Sequence, residues 1–350
     1  MNGRHCSNFL ESHQDLKFEA QGPVCTLFCG MKSKIEDPAE LSRRLLGDRN
    51  LEACPFGAGK FSDVFEVTDR DNGQRYVLRV APEDSLLQLF YEYRMMRQEP
   101  RIHERLRKTT HVPVPEILGH DFTREHIQRD YLVMPRLPGV PLSEAQLSGA
   151  AGARVHREWA GYVRQIHDVH DETERFGYLG EHHCMEPEQT WRAAFRTMYH
   201  KLLDDIVACG VYDAGTADMA RELLEGHLGV FEACITSHLC HGDLWVTNVL
   251  VAEDGEVTGV LDFDRACWGD LEWDLAIAEY CGVTNSAFWE GYGRVVDTHS
   301  GDAAVRRQFY LLYEHQKYIV ISISARRNDP GRARRYAEES LQMMEPLRAV

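Results

Sequence analysis

His241-Gly242-Asp243-Leu244-Trp245-Val246-Thr247-Asn248-Val249-Leu250, followed by Gly259-Val260-Leu261-Asp262-Phe263-Asp264, is the stretch on which the reading of this chain turns. An aspartate and an asparagine stand five residues apart, and a second aspartate closes an apolar run fourteen residues after the asparagine. Between them Asp254-Gly255 marks a tight turn, so the chain folds back as a hairpin and brings Asn248 beside Asp262. Transfer of a phosphoryl group from ATP needs this set of side chains. Asp243 would orient the attacking hydroxyl and accept its proton, and Asn248 and Asp262 would hold Mg²⁺, an ion suited by hard oxygen ligands, against the phosphates. Aspartate and asparagine also populate turns through local hydrogen bonds, but turn chemistry alone does not call for three of them at this spacing around a hairpin.

Around this island the chain divides in character. Pro38 opens a helix with Asp37 as its N-cap, running through Leu41, Leu45 and Leu46. Phe61 to Val67 and Gln74 to Val80 read as strands joined by Asp71-Asn72-Gly73. The sequence predicts a helical region from Ser85 to Lys108 that Pro100 kinks or restarts, an extended Val112-Pro113-Val114-Pro115, and a short strand at Asp130 to Met134. Pro135, Pro138, Gly139 and Pro141 then break the chain. Beyond them the pattern is mostly helical, with candidates at 149–169, 188–209, 215–234, 271–281, 305–325 and 330–347, interrupted by one β-rich island at 240–263. The expected class is α+β with two lobes: a small N-terminal β lobe with one main helix, then a large, mostly helical C-terminal lobe. The expected boundaries are a 1–36 extension, a 37–135 nucleotide-binding lobe and a 136–350 catalytic and substrate-binding lobe.

Composition narrows the function. Of 350 residues, 55 are acidic and 39 basic, a formal charge of -16, which argues against the basic face of a nucleic-acid binder and suits a neutral or cationic small substrate. No apolar run approaches the roughly 18 residues a membrane helix needs. The ten cysteines contain no Cys-x-x-Cys pair, and the N-terminus lacks a basic-then-apolar leader, so the expectation is a cytoplasmic protein with free thiols.

The quoted residues, with Trp268-Gly-Asp270 and Trp273-Asp-Leu-Ala276, resemble the aminoglycoside phosphotransferase family, related to choline kinases and more distantly to protein kinases. Glu99-Pro-Arg-Ile-His, Val112-Pro-Val-Pro-Glu116, Tyr131-Leu-Val-Met134, Leu137-Pro-Gly139 and Gln165-Ile-His-Asp-Val-His170 extend the likeness over about residues 50–285. The resemblance implies a protein kinase-like fold, ATP and Mg²⁺ as cofactors, Asp243 as catalytic base and Asn248 and Asp262 as metal ligands. It further implies Asp274 as a brace accepting backbone hydrogen bonds and His241 as a structural member of the loop. Arg79 stands where the family's strand lysine is expected, paired with Glu99 or, because Glu99 precedes a proline, with Glu92. Pro135 and Leu137 match the hinge positions whose backbone meets adenine. Lys60 and Ser62 lie in a glycine-bearing loop, not a Walker loop, that would cover the phosphates.

Asp264, Asp270 and Glu272 add negative charge that could bind ammonium groups of a substrate. The expected activity is therefore an ATP-dependent phosphotransfer to a hydroxyl of a small molecule, an aminoglycoside or other amino-bearing antibiotic. A metabolite such as an amino alcohol or sugar is the alternative. A pseudokinase binding module is a third reading, motivated by Arg79. Protein phosphorylation is disfavoured, because the interval from Asp262 to Asp274 is too short for an activation segment. No nucleic-acid or membrane partner is expected, and the oligomeric state is not legible.

Overall fold

The computed structural model describes residues 35–57, 61–84, 87–147, 149–178, 180, 182–324 and 327–349. Residues 37–350 cluster as one compact unit. The reading of residues 1–34 as an extension lies outside the described residues, as does Lys60.

The first element is helix α1 (Pro38–Leu46), where the Asp37 carboxylate accepts from the Glu40 amide at 2.8 Å. Five antiparallel strands follow: β1 (Leu51–Pro55), β2 (Asp63–Asp69), β3 (Arg75–Val80), β4 (Gly119–Asp121) and β5 (Tyr131–Pro135), in the order β1-β2-β3-β5-β4. The β2–β3 hairpin turns where Asn72-Gly73 requires it, with Gly73 at φ 73°. β1 is absent from the sequence reading because its five residues bury only Leu51 and end on a proline, too little for a period-2 signal. Period-2 alternation buries Tyr76, Leu78 and Val80 and turns Val77 and Arg79 to the other face. There Leu132 and Met134 of β5 pack with Met96.

Of the helical region expected over residues 85–108, with Pro100 kinking or restarting it, the part that starts with Glu99-Pro100 is the regular helix, and the described residues before it form turns. Arg94 adopts a left-handed conformation at φ 57°, residues Met95–Gln98 form a 3₁₀ turn, and α2 begins only at Glu99 and runs to Thr109. Proline supplies no N–H for a bond to the residue four back, so Pro100 is tolerated only in a helix's first turn and fixes where this one starts. Glu99 is helical (φ -57°, ψ -45°) despite the proline after it.

The rest is mostly helical. Its helices are α3 (Gly149–His167), α4 (Trp191–Ala208), α5 (Ala214–His227), α6 (Leu271–Tyr280), α7 (Ser286–Tyr292), α8 (Gly301–Ile323) and α9 (Pro330–Met344). Helix α7 was not legible in the sequence. It is only seven residues long, and Gly291 lets it press onto α3, where a Cβ would collide with the Arg157 carbonyl. One apolar core joins α4, α5, α6, α8 and α9 through Trp191, Phe195, Phe231 and Tyr310. A second joins α2, α3 and the β-rich island through Leu106, Trp159, Leu244 and Phe263.

The island comprises β7 (His238–Cys240) paired with β10 (Cys267–Gly269), and β8 (Val249–Val251) paired with β9 (Val257–Val260). β6 (Val140–Pro141) adds to β8, so the chain leaving β5 joins the hairpin directly. Among the described residues no helix is long and apolar enough to cross a membrane.

Candidate active site

The loop between β7 and β8 is held from behind. Asp274, in the first turn of α6, is buried. One of its carboxylate oxygens accepts the His241 amide at 2.7 Å and the other the Gly242 amide at 2.9 Å. His167, the last residue of α3, reaches the same carboxylate at 3.0 Å and the Tyr292 hydroxyl at 2.8 Å. Burial alone would raise the Asp274 carboxyl, but the His167 ring and, after it, His241 through its ring and its amide hold it below the usual range. His167, within Gln165-Ile-His-Asp-Val-His170 at the helix end, is the second half of this brace, a role the sequence reading does not assign.

His241 ties the loop to the second carboxylate. Its Nδ1 accepts from the Asp243 amide at 3.2 Å, so its Nε2–H donates to the Leu261 carbonyl at 3.0 Å. The Leu261 amide in turn donates to the Asn248 carbonyl at 2.8 Å. Asp262 therefore leaves β9 beside Asn248, in the left-handed region at φ 70° and ψ 62°. Such a conformation is costly for a non-glycine residue and persists only where its surroundings enforce it. Asn248 Nδ2 donates to the Asp243 carbonyl at 3.0 Å and to its carboxylate at 3.2 Å. Asp243 keeps 28% of its side chain exposed.

Arg79 crosses from the sheet to this hairpin. One guanidinium nitrogen bonds both Glu99 oxygens at 2.9 and 2.7 Å; another bonds Asp262 at 2.7 Å and Asp264 at 3.3 Å. Glu99 is thus the partner that the sequence left open. Glu92 instead accepts the Leu89 amide and faces Arg265 at 3.8 Å. Burial pushes the Glu99 carboxyl up to about 7 against the pull of Arg79. Burial also raises Asp262, but Arg79 and then Arg265 outweigh it, and its carboxyl lies below the ordinary value. Asp264, buried beside Asp262, is pushed well up. Oxygens of Glu99, Asp262 and Asp264 lie within 4.8 Å of one another, a hard-oxygen cluster of the kind a divalent cation accepts.

The other expected residues are placed as follows. Ser62 is buried. Pro135 ends β5 opposite Tyr76, and Leu137 lies over Gly259 of β9, where a Cβ would come within 3.0 Å of it. Asp270 caps α6 by accepting the Glu272 amide at 3.0 Å and takes the Tyr310 hydroxyl at 2.7 Å. Glu272 is gripped by Arg306 through two bonds at 2.9 and 2.8 Å. Together with Asp264 on Arg79, all three carboxylates expected to receive substrate ammonium groups are committed to internal partners.

A small antiparallel sheet that sends a cation paired with a helix carboxylate onto a loop bearing Asp243 and Asn248 and onto a strand-ending aspartate is the arrangement that the sequence likeness implies. Comparison with known proteins agrees. The profile of the phosphotransferase enzyme family (APH) matches residues 52–303, more than half of the chain, and the chain belongs to that family. A probable ketoamine kinase of Vibrio vulnificus is 25% identical over 290 residues, covering 78% of this chain and 88% of the relative. The solved putative fructosamine-3-kinase of Thermobifida fusca aligns with a TM-score of 0.60 at 18% identity, over 90% of this chain and 100% of that one. Aminoglycoside phosphotransferase APH(4)-Ia, solved with AMP-PNP and hygromycin B, aligns with a TM-score of 0.59 at 20% identity, over 88% and 99%. The protein is a small-molecule kinase.

Proposed function

We propose that this kinase transfers the γ-phosphoryl group of ATP to a hydroxyl of a ketoamine, a sugar-derived amine adduct. The observation that carries the phosphotransfer reading is the convergence of Asp243, Asn248, Asp262 and Arg79 at one end of the β8–β9 hairpin. In this reading residues 37–135 form the nucleotide-binding lobe and residues 136–350 the catalytic and acceptor-binding lobe. Pro135 and Leu137 meet the adenine, and Ser62 lies near the phosphates. Arg79, kept charged by Glu99, Asp262 and Asp264, exchanges part of that pairing for phosphate oxygens; a planar guanidinium can grip two of them at once.

Asp262 and Asn248 offer the oxygens that would hold Mg²⁺, which when bound supplies charge neutralisation along the phosphates. Asp243 orients the acceptor hydroxyl and takes its proton as the new O–P bond forms and the bond to ADP breaks. The Asp274–His167 brace fixes that loop before substrate arrives.

The ketoamine class is favoured over an aminoglycoside on two grounds. The relative matched over most of both chains is named for ketoamines. The carboxylates that would attract a polycation are tied to Arg79, Tyr310 and Arg306. The test is ATP consumption with Mg²⁺ on fructosyl-glycine against hygromycin B and gentamicin. Turnover on the fructosyl amine alone supports the assignment, and turnover on the antibiotics alone overturns it.

A further inference from the structure

Arg265 belongs to none of the roles assigned above, yet it lies against the proposed catalytic carboxylate. It ends the short 3₁₀ turn Phe263–Arg265 that follows Asp262, and its side chain is 8% exposed. One guanidinium nitrogen faces Asp243 Oδ1 at 3.7 Å and another faces Glu92 at 3.8 Å, both at ion-pair rather than hydrogen-bond distance. Its guanidinium carbon sits 4.6 Å from the centre of the Phe61 ring, which precedes β2 and follows the glycine-bearing loop. Gly242 fixes the spacing from the other side. At φ 76° it packs on the Arg265 backbone so closely that a Cβ would collide with the carbonyl oxygen of residue 265.

The charge inventory makes this placement informative. Residues 240–252 contain no lysine or arginine, so the catalytic loop brings no cation of its own. Arg79 is engaged by Glu99, Asp262 and Asp264. Among the described residues, Arg265 is the one cationic side chain within 4 Å of the Asp243 carboxylate. Asp243 Oδ2 is already taken by Asn248 at 3.2 Å, which leaves Oδ1 as the oxygen free to meet an acceptor hydroxyl, and Oδ1 is the oxygen Arg265 faces.

We infer that Arg265 is a positioning residue for phosphoryl transfer: it holds the Asp243 carboxylate with Oδ1 presented to the acceptor, and through Phe61 and Glu92 it ties that orientation to the segment bordering the nucleotide. The inference rests on the phosphotransfer reading and adds to it a group acting through Asp243. An attracting charge that does not close into a hydrogen bond suits this task, because it orients the carboxylate without occupying the oxygen that must take the proton.

The experiment compares wild type, Arg265→Met, Arg265→Lys, Asp243→Asn and the double variant Asp243→Asn/Arg265→Met. Turnover is read as ATP hydrolysis to water at stoichiometric enzyme and as transfer to fructosyl-glycine. Nucleotide affinity is measured by calorimetry and folding by thermal melting. Arg265→Met should lower turnover about 100-fold, the scale of a misplaced reacting group, while nucleotide Kd stays within about threefold. Arg265→Lys, which keeps the charge and much of the volume, should recover about tenfold of that loss and melt near wild type. In the Asp243→Asn background, Arg265→Met should cost less than about threefold more, since it acts through the carboxylate already removed. Full turnover by Arg265→Met, losses that multiply in the double variant, or a Kd that moves as far as turnover would each overturn the inference. A wild type active in neither assay would instead overturn the phosphotransfer reading.

Discussion

Replacing Asp274 by asparagine tests the brace behind the loop that carries Asp243. The carboxylate is buried and accepts three donors, the amides of His241 and Gly242 and the His167 ring. An asparagine of the same shape has one acceptor oxygen. Whichever way it turns, its NH₂ group meets at least one of those donors head-on. One or two charge-assisted bonds are lost at about 1.5–3 kcal/mol each, and a buried N–H is left unpaired at about 1–3 kcal/mol. The expected destabilisation is about 3–5 kcal/mol, in line with removal of one partner from a buried charged contact. At roughly 2–3 °C per kcal/mol for a unit of this size, Tm should fall by about 6–15 °C. Scanning fluorimetry reads that shift, and turnover measured well below both transitions should be down more than about tenfold because Asp243 is carried by the loosened loop.

The pH dependence has a fixed sign. The Asp274 carboxyl lies below its ordinary value in the folded protein, so its contribution is present above the unfolded value of about 3.9 and is lost as pH falls through the lower folded value. The gap between wild type and Asp274→Asn should close on acidification. A Tm within about 2 °C of wild type at neutral pH, with normal turnover, would refute the reasoning.

Other expectations follow from the same contacts. Arg79→Ala should raise the nucleotide Kd at least about tenfold by calorimetry and lower Tm, because Glu99, Asp262 and Asp264 lose their shared counter-charge. Asp262→Ala should abolish both turnover and its response to a magnesium titration, and a variant that still needs and uses the metal would remove Asp262 from that role. Burial beside Glu272 lifts the Asp270 carboxyl to about 6, so the stability tied to its protonated form is full below about pH 4 and declines as pH rises through 6. Asp270→Asn removes the titrating group, so its melting temperature should vary less than that of wild type across that window.

The parts of this molecule legible in its sequence are those fixed by local rules. The Asp71-Asn72-Gly73 turn dictated a hairpin, and Asp37-Pro38 dictated a helix start. Asp254-Gly255 folded Asn248 back toward Asp262. What escaped depends on contacts far apart in the chain. The brace joins His167 to Asp274 across 107 positions, and Arg79 reaches Asp262 across 183. No local pattern says that Asp270 and Glu272 will face Tyr310 and Arg306 rather than solvent. Glu99 shows a local rule giving way. The bias against helix before a proline counted against it, but a helix whose first turn contains that proline places Glu99 at its start, where a carboxylate also meets the positive end of the helix dipole.

The account stands on phosphoryl transfer to a small alcohol through Asp243. The most direct measurement is mass spectrometry of fructosyl-glycine after incubation with Mg·ATP and the full chain, wild type beside Asp243→Ala. The account predicts the mass gain of one phosphoryl group with wild type, and with the variant none, although calorimetry shows that it still binds nucleotide. Equal phosphorylation by the two proteins would contradict it.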